Sequence, residues 1–312
     1  MDEWLIKTED EESNFGKRPN ERSIEELIES SVIVVDKHSG PTSHQVTSWV
    51  KDIFHVNKAG HAGTLDPAVT GVLPVALGSA VKAMPLMIGL KKEYVGVMRL
   101  HKDVGEGLLR SEITNFIGKI TQKPPVRSAV ARKEREREVF FFDILETDGR
   151  NVLFKTEVQA GTYIRKLIHD LGTRIGGANM TELRRTRVAN FSEEKSFPLV
   201  RIKDAYEFWK EGDGKFLKEM LIPVDFAVSE NVKKIFVKDS AIPNIINGSP
   251  VYPNGITRIQ KEIIAGETVG IYSNNEELVA IGIARMDAKK MLDSRKGEAI
   301  RTDRIIIKKP QI

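Results

Sequence analysis

One aspartate in this chain stands in a frame that suits chemistry. Residues 60–78 read GHAGTLDPAVTGVLPVALG, and Asp66 sits among Gly60, Gly63, Pro67, Gly71 and Pro74. Glycine allows backbone angles and close approaches denied to other residues, and proline fixes φ and removes a donor. A short acid on such a loop suits a nucleophile or a ligand clamp. The same residues also fit a helix start, with Asp66 as N-cap and Pro67 at the first helical position. The segment alone leaves both readings open.

A second residue breaks a local rule. In GTYIRKLIHDLGTRIG, Ile164, Leu167, Ile168 and Leu171 share a helical face, and Thr162 is placed to cap it. Arg165 then falls in the first turn, where a cation opposes the helix dipole at a cost of up to about 1 kcal/mol unless an anion compensates. Such violations concentrate at functional sites. The plain alternative is a solvent-facing arginine.

Composition bounds the chemistry. The chain has 312 residues, enough for two domains, with 40% hydrophobic and 29% charged residues. No apolar run approaches a membrane span, and the acidic start MDEWLIKTEDEESN does not resemble a signal peptide, so a cytoplasmic protein is expected. The absence of cysteine removes disulfides, thiolate metal sites and thiol catalysis. The six histidines form no tight ligand motif, which argues against a metal enzyme. Net charge is +4, but residues 1–30 carry −6 and the rest +10. A basic body suits a polyanion such as RNA, though a soluble basic surface has the same composition.

The elements that must position Asp66 and Arg165 follow from periodicity. A short helix is expected over Ser23 to Ser30, a buried strand over Val32 to Val35, and a helix with a Thr42/Gln45 capping box whose core face is Val46, Trp49, Val50 and Ile53. Strands are expected over residues 72–77 and Tyr94 to Leu100, and a helix over Glu106 to Gly118. Residues 123–138 are proline-led and highly charged, a solvated segment or a phosphate-contacting arm. VFFFDILE and NVLFKTEVQ form a hairpin through Asp148-Gly149. Residues 192–230 read as linker and helix around Tyr206 to Lys210. Beyond 231, short strands punctuated by Gly248, Gly255, Gly266 and Gly270 suggest a small β-barrel, with a helix near Ala241 to Asn247 capped by Ser240 and closed by Gly248.

Several segments together resemble one family. IVVDKHSGPTSH at 33–44, GHAGTLDP with GVLPVALG, KKEYVG at 91–96, AGTYIRKLIHDLG at 160–172 and MTELRRTR at 180–187 are similar to the pseudouridine synthases of the tRNA uridine-55 type. PPVRSAV at 124–130 and the N-terminal extension resemble the dyskerin branch, and the short ending Lys308-Lys309-Pro310-Gln311-Ile312 leads us to expect an archaeal member. The chain departs from the family pattern at Lys37-His38, Ala62, Asn179 and Val188-Ala189-Asn190.

The resemblance implies an α+β protein. A catalytic domain over residues 31–230 would carry a mixed, largely antiparallel sheet with flanking helices. A PUA domain, an RNA-binding β-barrel, would follow over 231–307, with residues 1–30 an extension packing on it and 308–312 a tail. It implies isomerisation of uridine to pseudouridine without a cofactor, directed by an H/ACA guide RNA, with action on tRNA alone or a non-catalytic RNA scaffold as alternatives. Asp66 matches the catalytic aspartate, Arg165 the arginine that keeps that acid charged while buried, and Tyr94 the tyrosine that stacks on the target uracil. Tyr163 and Leu183 would complete the pocket wall, and His61 would occupy the space vacated by the flipped base. Lys37, Arg184, Arg185 and Arg187 are candidate phosphate contacts. Implied partners are the guide and substrate RNAs, a small zinc-ribbon protein, a glycine/arginine-rich protein and a kink-turn binding ribosomal protein.

Overall fold

The computed structural model describes residues 3–8, 13–124 and 133–307. Most of PPVRSAV, at 125–130, and the tail 308–312 lie outside the described residues. So does the centre of the charged run 123–138, whose end opens a strand.

The strands in chain order are β1 (Trp4–Ile6), β2 (Ser31–Lys37), β3 (Ala59–His61), β4 (Thr70–Leu77), β5 (Lys92–Leu100), β6 (Gly118–Gln122), β7 (Arg135–Asp148) and β8 (Asn151–Val158). They continue with β9 (Ala178–Val188), β10 (Phe191–Ser192), β11 (Ile222–Pro223), β12 (Lys233–Val237), β13 (Ile256–Gln260), β14 (Thr268–Ser273), β15 (Leu278–Ala284) and β16 (Ile300–Ile305). Among the described residues these form two sheets. The larger runs β11-β2-β4-β9-β5-β8-β7-β6, with β3 on β4 and β10 on β9; the smaller runs β1-β13-β12-β14-β15-β16. Pairing is antiparallel except β4 with β9 and β12 with β14, so the protein is α+β with mixed sheets.

Local chemistry explains the elements near the site. Two of the helix starts carry full capping boxes: Ser23 with Glu26 before Ile24–Glu29, and Thr42 with Gln45 before Ser43–Ile53. The β7–β8 hairpin closes where Asp148 pairs with Asn151 around Gly149 at φ 54°. The helix Ile164–Ile175 buries Ile164, Leu167, Ile168 and Leu171, and ends at left-handed Gly176.

One open reading is decided and three local expectations fail. Asp66 caps no helix: its carbonyl accepts from Val69 N–H in a tight turn, and the chain enters β4. Trp49 is 43% exposed, because the core face of its helix runs through Val46, Thr47 and Val50. Thr162 is not an N-cap; its hydroxyl donates to Gln159 O at 2.8 Å, and Tyr163 flanks the helix instead. Ser240 lies inside a 3-10 turn, Asp239–Ala241, that runs into the helix Ile242–Ile246.

The two sheets pack on each other. Val32, Val34, Ala76 and Val188 of the larger sheet share an apolar cluster with Phe236, Tyr272 and Leu278 of the smaller. The N-terminal segment ties into the smaller sheet through β1 on β13. At the seam, buried Arg22 donates to Asp225 at 2.5 and 3.2 Å and to Glu277 at 3.0 Å.

Candidate active site

Residues 62–69 connect β3 to β4, and they and their flanks are held by a dense set of backbone contacts. The Lys37 ammonium donates to the carbonyls of His38, Pro67 and Val69, each at 2.9 Å. Ser43 Oγ accepts from Leu65 N–H at 2.8 Å and donates to Leu65 O at 3.1 Å. Gly40 N–H donates to Pro67 O at 2.9 Å. Gly71, at φ 101°, lies so close to β9 that an added Cβ would sit 2.2 Å from Arg185 O, so only glycine fits.

This clasp presents Asp66 outward. Its carboxylate oxygen Oδ2 accepts from Arg165 Nη2 at 2.9 Å, with the two side chains 58% and 64% exposed. The anion that Arg165 requires in its first helical turn is therefore Asp66. The expectation of a buried carboxylate is corrected: in the free chain the pair faces solvent, where it contributes about 0–1 kcal/mol.

Beneath the loop the structure is buried and basic. Arg185 is 1% exposed and donates to Val72 O at 2.8 Å and Gly63 O at 3.0 Å. Burial pushes its pKa down, and Tyr94, its cross-strand neighbour, opposes that shift. Tyr94 is buried on β5 between β9 and β8. Lys92, two residues earlier on the same face, is buried and donates to Ile88 O at 2.8 Å and Leu90 O at 2.7 Å. Desolvation, reinforced by Arg185, lowers the Lys92 pKa to about 8.

His61, at the end of β3, packs edge-on against His44 with centroids 4.9 Å apart. Burial, then His44 and Arg185, lowers its pKa to about 4, so the ring is neutral at physiological pH. Tyr163 is half-buried at the helix start; its N–H donates to Gln122 Oε1 at 2.9 Å and its carbonyl accepts from Gln122 Nε2 at 3.3 Å. Leu183 is half-buried on β9 opposite Gly96 and packs on the main core.

Of the four proposed phosphate contacts, burial excludes Lys37 and Arg185, while Arg184 and Arg187 are part-exposed and paired with internal carboxylates. All four lie on strands β2 and β9. Lys37 and Arg185 are buried and bind carbonyls. Arg184 clamps Asp36 at 2.9 and 3.2 Å and Glu193 at 2.8 Å. Arg187 bonds Glu93 at 2.9 Å and Glu157 at 3.1 Å. Sequence reasoning also missed Lys92, Ser43 and Gln122. For Lys92 a signal existed: it shares the alternating inward face with Tyr94, Gly96, Met98 and Leu100.

The chain belongs to the TruB family of pseudouridine synthases, and it is an RNA uridine isomerase. The family's N-terminal domain, TruB family pseudouridylate synthase, matches residues 51–164, and the tRNA pseudouridylate synthase B C-terminal domain matches 165–229. A DKCLD (NUC011) domain matches residues 1–47 and a PUA domain 233–306. The chain is 45% identical to a probable tRNA pseudouridine synthase B of Nanoarchaeum equitans, covering 98% of this chain and 88% of the relative. It is 46% identical to the protein of the same description from Methanopyrus kandleri, covering 98% and 91%. Its fold matches a chain of a crystallised Cbf5-Nop10-Gar1 complex with TM-score 0.91 and 43% identity, over 98% of this chain and 94% of that one. A chain of an H/ACA RNP bound to a substrate RNA containing 2'-deoxyuridine matches with TM-score 0.90 and 41% identity, over 98% and 95%.

Proposed function

We propose that the protein is the catalytic subunit of a guide-directed H/ACA particle, and that Asp66, Arg165 and Tyr94 carry the reaction. The observation that carries the catalytic reading is the 2.9 Å contact between Asp66 and Arg165 across 99 residues of sequence. The RNA backbone covers this exposed pair. The carboxylate then loses water, and the guanidinium keeps it ionised. Asp66 removes the ribose 2′ proton as the C1′–N1 bond breaks, giving a glycal and a uracil anion. The base turns, C5 joins C1′, the proton returns to C2′, and the C5 proton is exchanged for one at N1. The target base is turned out of its stack onto Tyr94, where stacking is worth about 1–3 kcal/mol. Tyr163 and Leu183 wall the pocket, and neutral His61 stands by the vacated position.

The assembly reading is supported by the near full-length fold agreement with a chain from an H/ACA RNP carrying substrate RNA. The partners are then guide RNA, substrate rRNA, and proteins of the Nop10 and Gar1 kind, with a kink-turn binding ribosomal protein. The PUA sheet holds a distant element of the guide. A second reading, isomerisation of tRNA without a guide, is favoured by the tRNA pseudouridine synthase B descriptions of the relatives. The test is pseudouridine formation by purified protein on bare tRNA and on substrate RNA with guide and partners. Conversion only in the complete mixture supports the first reading. Efficient conversion of bare tRNA replaces it with the second.

A further inference from the structure

Three cations lie buried behind the Asp66 loop without a carboxylate to pair with. Lys37 and Arg185 are fully buried and Lys92 nearly so. The hydrogen bonds of Lys37, Lys92 and Arg185 go to backbone carbonyls, and the cross-strand neighbour Tyr94 interacts electrostatically with Arg185. Among the described residues none of the three forms an ion pair, though Lys37 feels the more distant Asp66 carboxylate. A neutral hydrogen-bonding residue could satisfy two carbonyls at lower cost, since burying an unpaired charge is expensive. Fold stability therefore does not account for an ammonium at position 92.

Position accounts for it. Arg185 donates to Gly63 O at 3.0 Å, and a Cβ added at Gly63 would meet Lys92 Cε at 3.3 Å and Arg185 Nη1 at 3.6 Å, so both side chains border the Asp66 loop at Gly63. Arg185 is also the cross-strand neighbour of Tyr94. Lys92 is on the same strand face as Tyr94 two residues away and close enough to Arg185 to feel its charge, so both charges lie beside the tyrosine on which, in the proposed function, the uracil rests. When C1′–N1 breaks, the bonding pair stays on N1 and the base carries a full negative charge until C5 bonds to C1′. Fixed positive charge in a dry interior is most effective where charge develops.

We infer that Lys92, together with Arg185, is an electrostatic positioning residue that stabilises the uracil anion during the isomerisation. The inference rests on the proposed function, and its test separates the two. Lys92→Gln keeps a donor for Ile88 and Leu90 but removes the charge; Lys92→Met removes both. Single-turnover rates, RNA affinity and Tm are measured with whichever RNA the wild type converts, beside Asp66→Ala. The expected result is a fall in rate of about tenfold to hundredfold for Lys92→Gln, with RNA affinity and Tm unchanged. The same measurements use substrate RNA carrying 5-fluorouridine at the target, whose more electron-poor base holds negative charge more easily. There the deficit in C1′–N1 cleavage shrinks several-fold. A wild-type rate for Lys92→Gln, an equal deficit on both substrates, or loss of Tm in both variants overturns the inference. If Asp66→Ala retains activity, the proposed function fails; if Asp66→Ala is inert while Lys92→Gln is unimpaired, only this inference fails.

Discussion

Replacing Arg22 by methionine should weaken the junction between the two sheets in a way that acid repairs. Arg22 bonds Asp225, on the short helix Val224–Ala227, and Glu277, beside β15, and its side chain is 7% exposed. Asp225 also accepts from Leu278 N–H at 2.6 Å. Arg22→Met keeps the apolar stem but leaves two carboxylates facing each other in the seam. Breaking a buried pair on one side costs about 3–5 kcal/mol, against about 0–1 for an exposed pair. That corresponds to a fall in Tm of roughly 10 °C. The pH dependence is the sharper test. Burial, opposed by Arg22 and reinforced by Asp225, already holds Glu277 above the ordinary carboxyl value of 4.5. Without Arg22 it rises further. A carboxyl whose folded pKa exceeds its unfolded value costs stability at neutral pH, and that cost disappears as pH falls through the folded pKa toward the unfolded one. The deficit of Arg22→Met relative to wild type, read by scanning calorimetry or urea unfolding, should therefore be largest near pH 7 and shrink toward pH 4.5. A deficit below about 1 kcal/mol, or one independent of pH, refutes the reasoning.

Other outcomes follow from the corrected roles. Arg184→Ala and Arg187→Ala should leave the slope of log Kd for RNA against log salt unchanged, because both guanidiniums are engaged by internal carboxylates; a phosphate contact would reduce it by about 1. Gly71→Ala should cost about 3 kcal/mol in urea unfolding, from left-handed strain and the clash with Arg185 O, and should lower turnover as the loop shifts; a cost under about 1 kcal/mol contradicts the close approach. The His61 ring should titrate near pH 4 by NMR, so that between pH 6.5 and 4 the unfolded state binds the extra proton and stability falls with acid; a midpoint near 6.5 contradicts the burial argument.

The parts of the fold legible in the sequence were those written in local chemistry. The short helix after Ser23, the capping box at Thr42, the Asp148-Gly149 turn and the apolar face of Ile164 to Leu171 each rest on neighbouring residues alone. Arg165 was legible by contrast, as a cation in the wrong turn of a helix whose anion had to come from elsewhere. The basic residues were misread for the complementary reason. A lysine or arginine shows its charge in sequence but not its partner. Asp36, Glu93 and Glu157, which pair with Arg184 and Arg187, come from elsewhere in the chain, and Glu193 reaches Arg184 only through the β9–β10 turn. Lys37 and Arg185 are buried because β2 and β9 lie inside the larger sheet, a fact of strand order that no single segment encodes. The exposure of Asp66 was equally hidden, since a rigid loop can face a core or a solvent with the same glycines.

The most direct test of the central claim substitutes Asp66 by alanine and measures pseudouridine in the RNA together with the affinity for that RNA in the same preparation. Conversion should be abolished while Kd stays within about twofold and Tm is unchanged, because the side chain is exposed and its ion pair contributes little to stability. Pseudouridine formed at the wild-type rate by Asp66→Ala would contradict that claim.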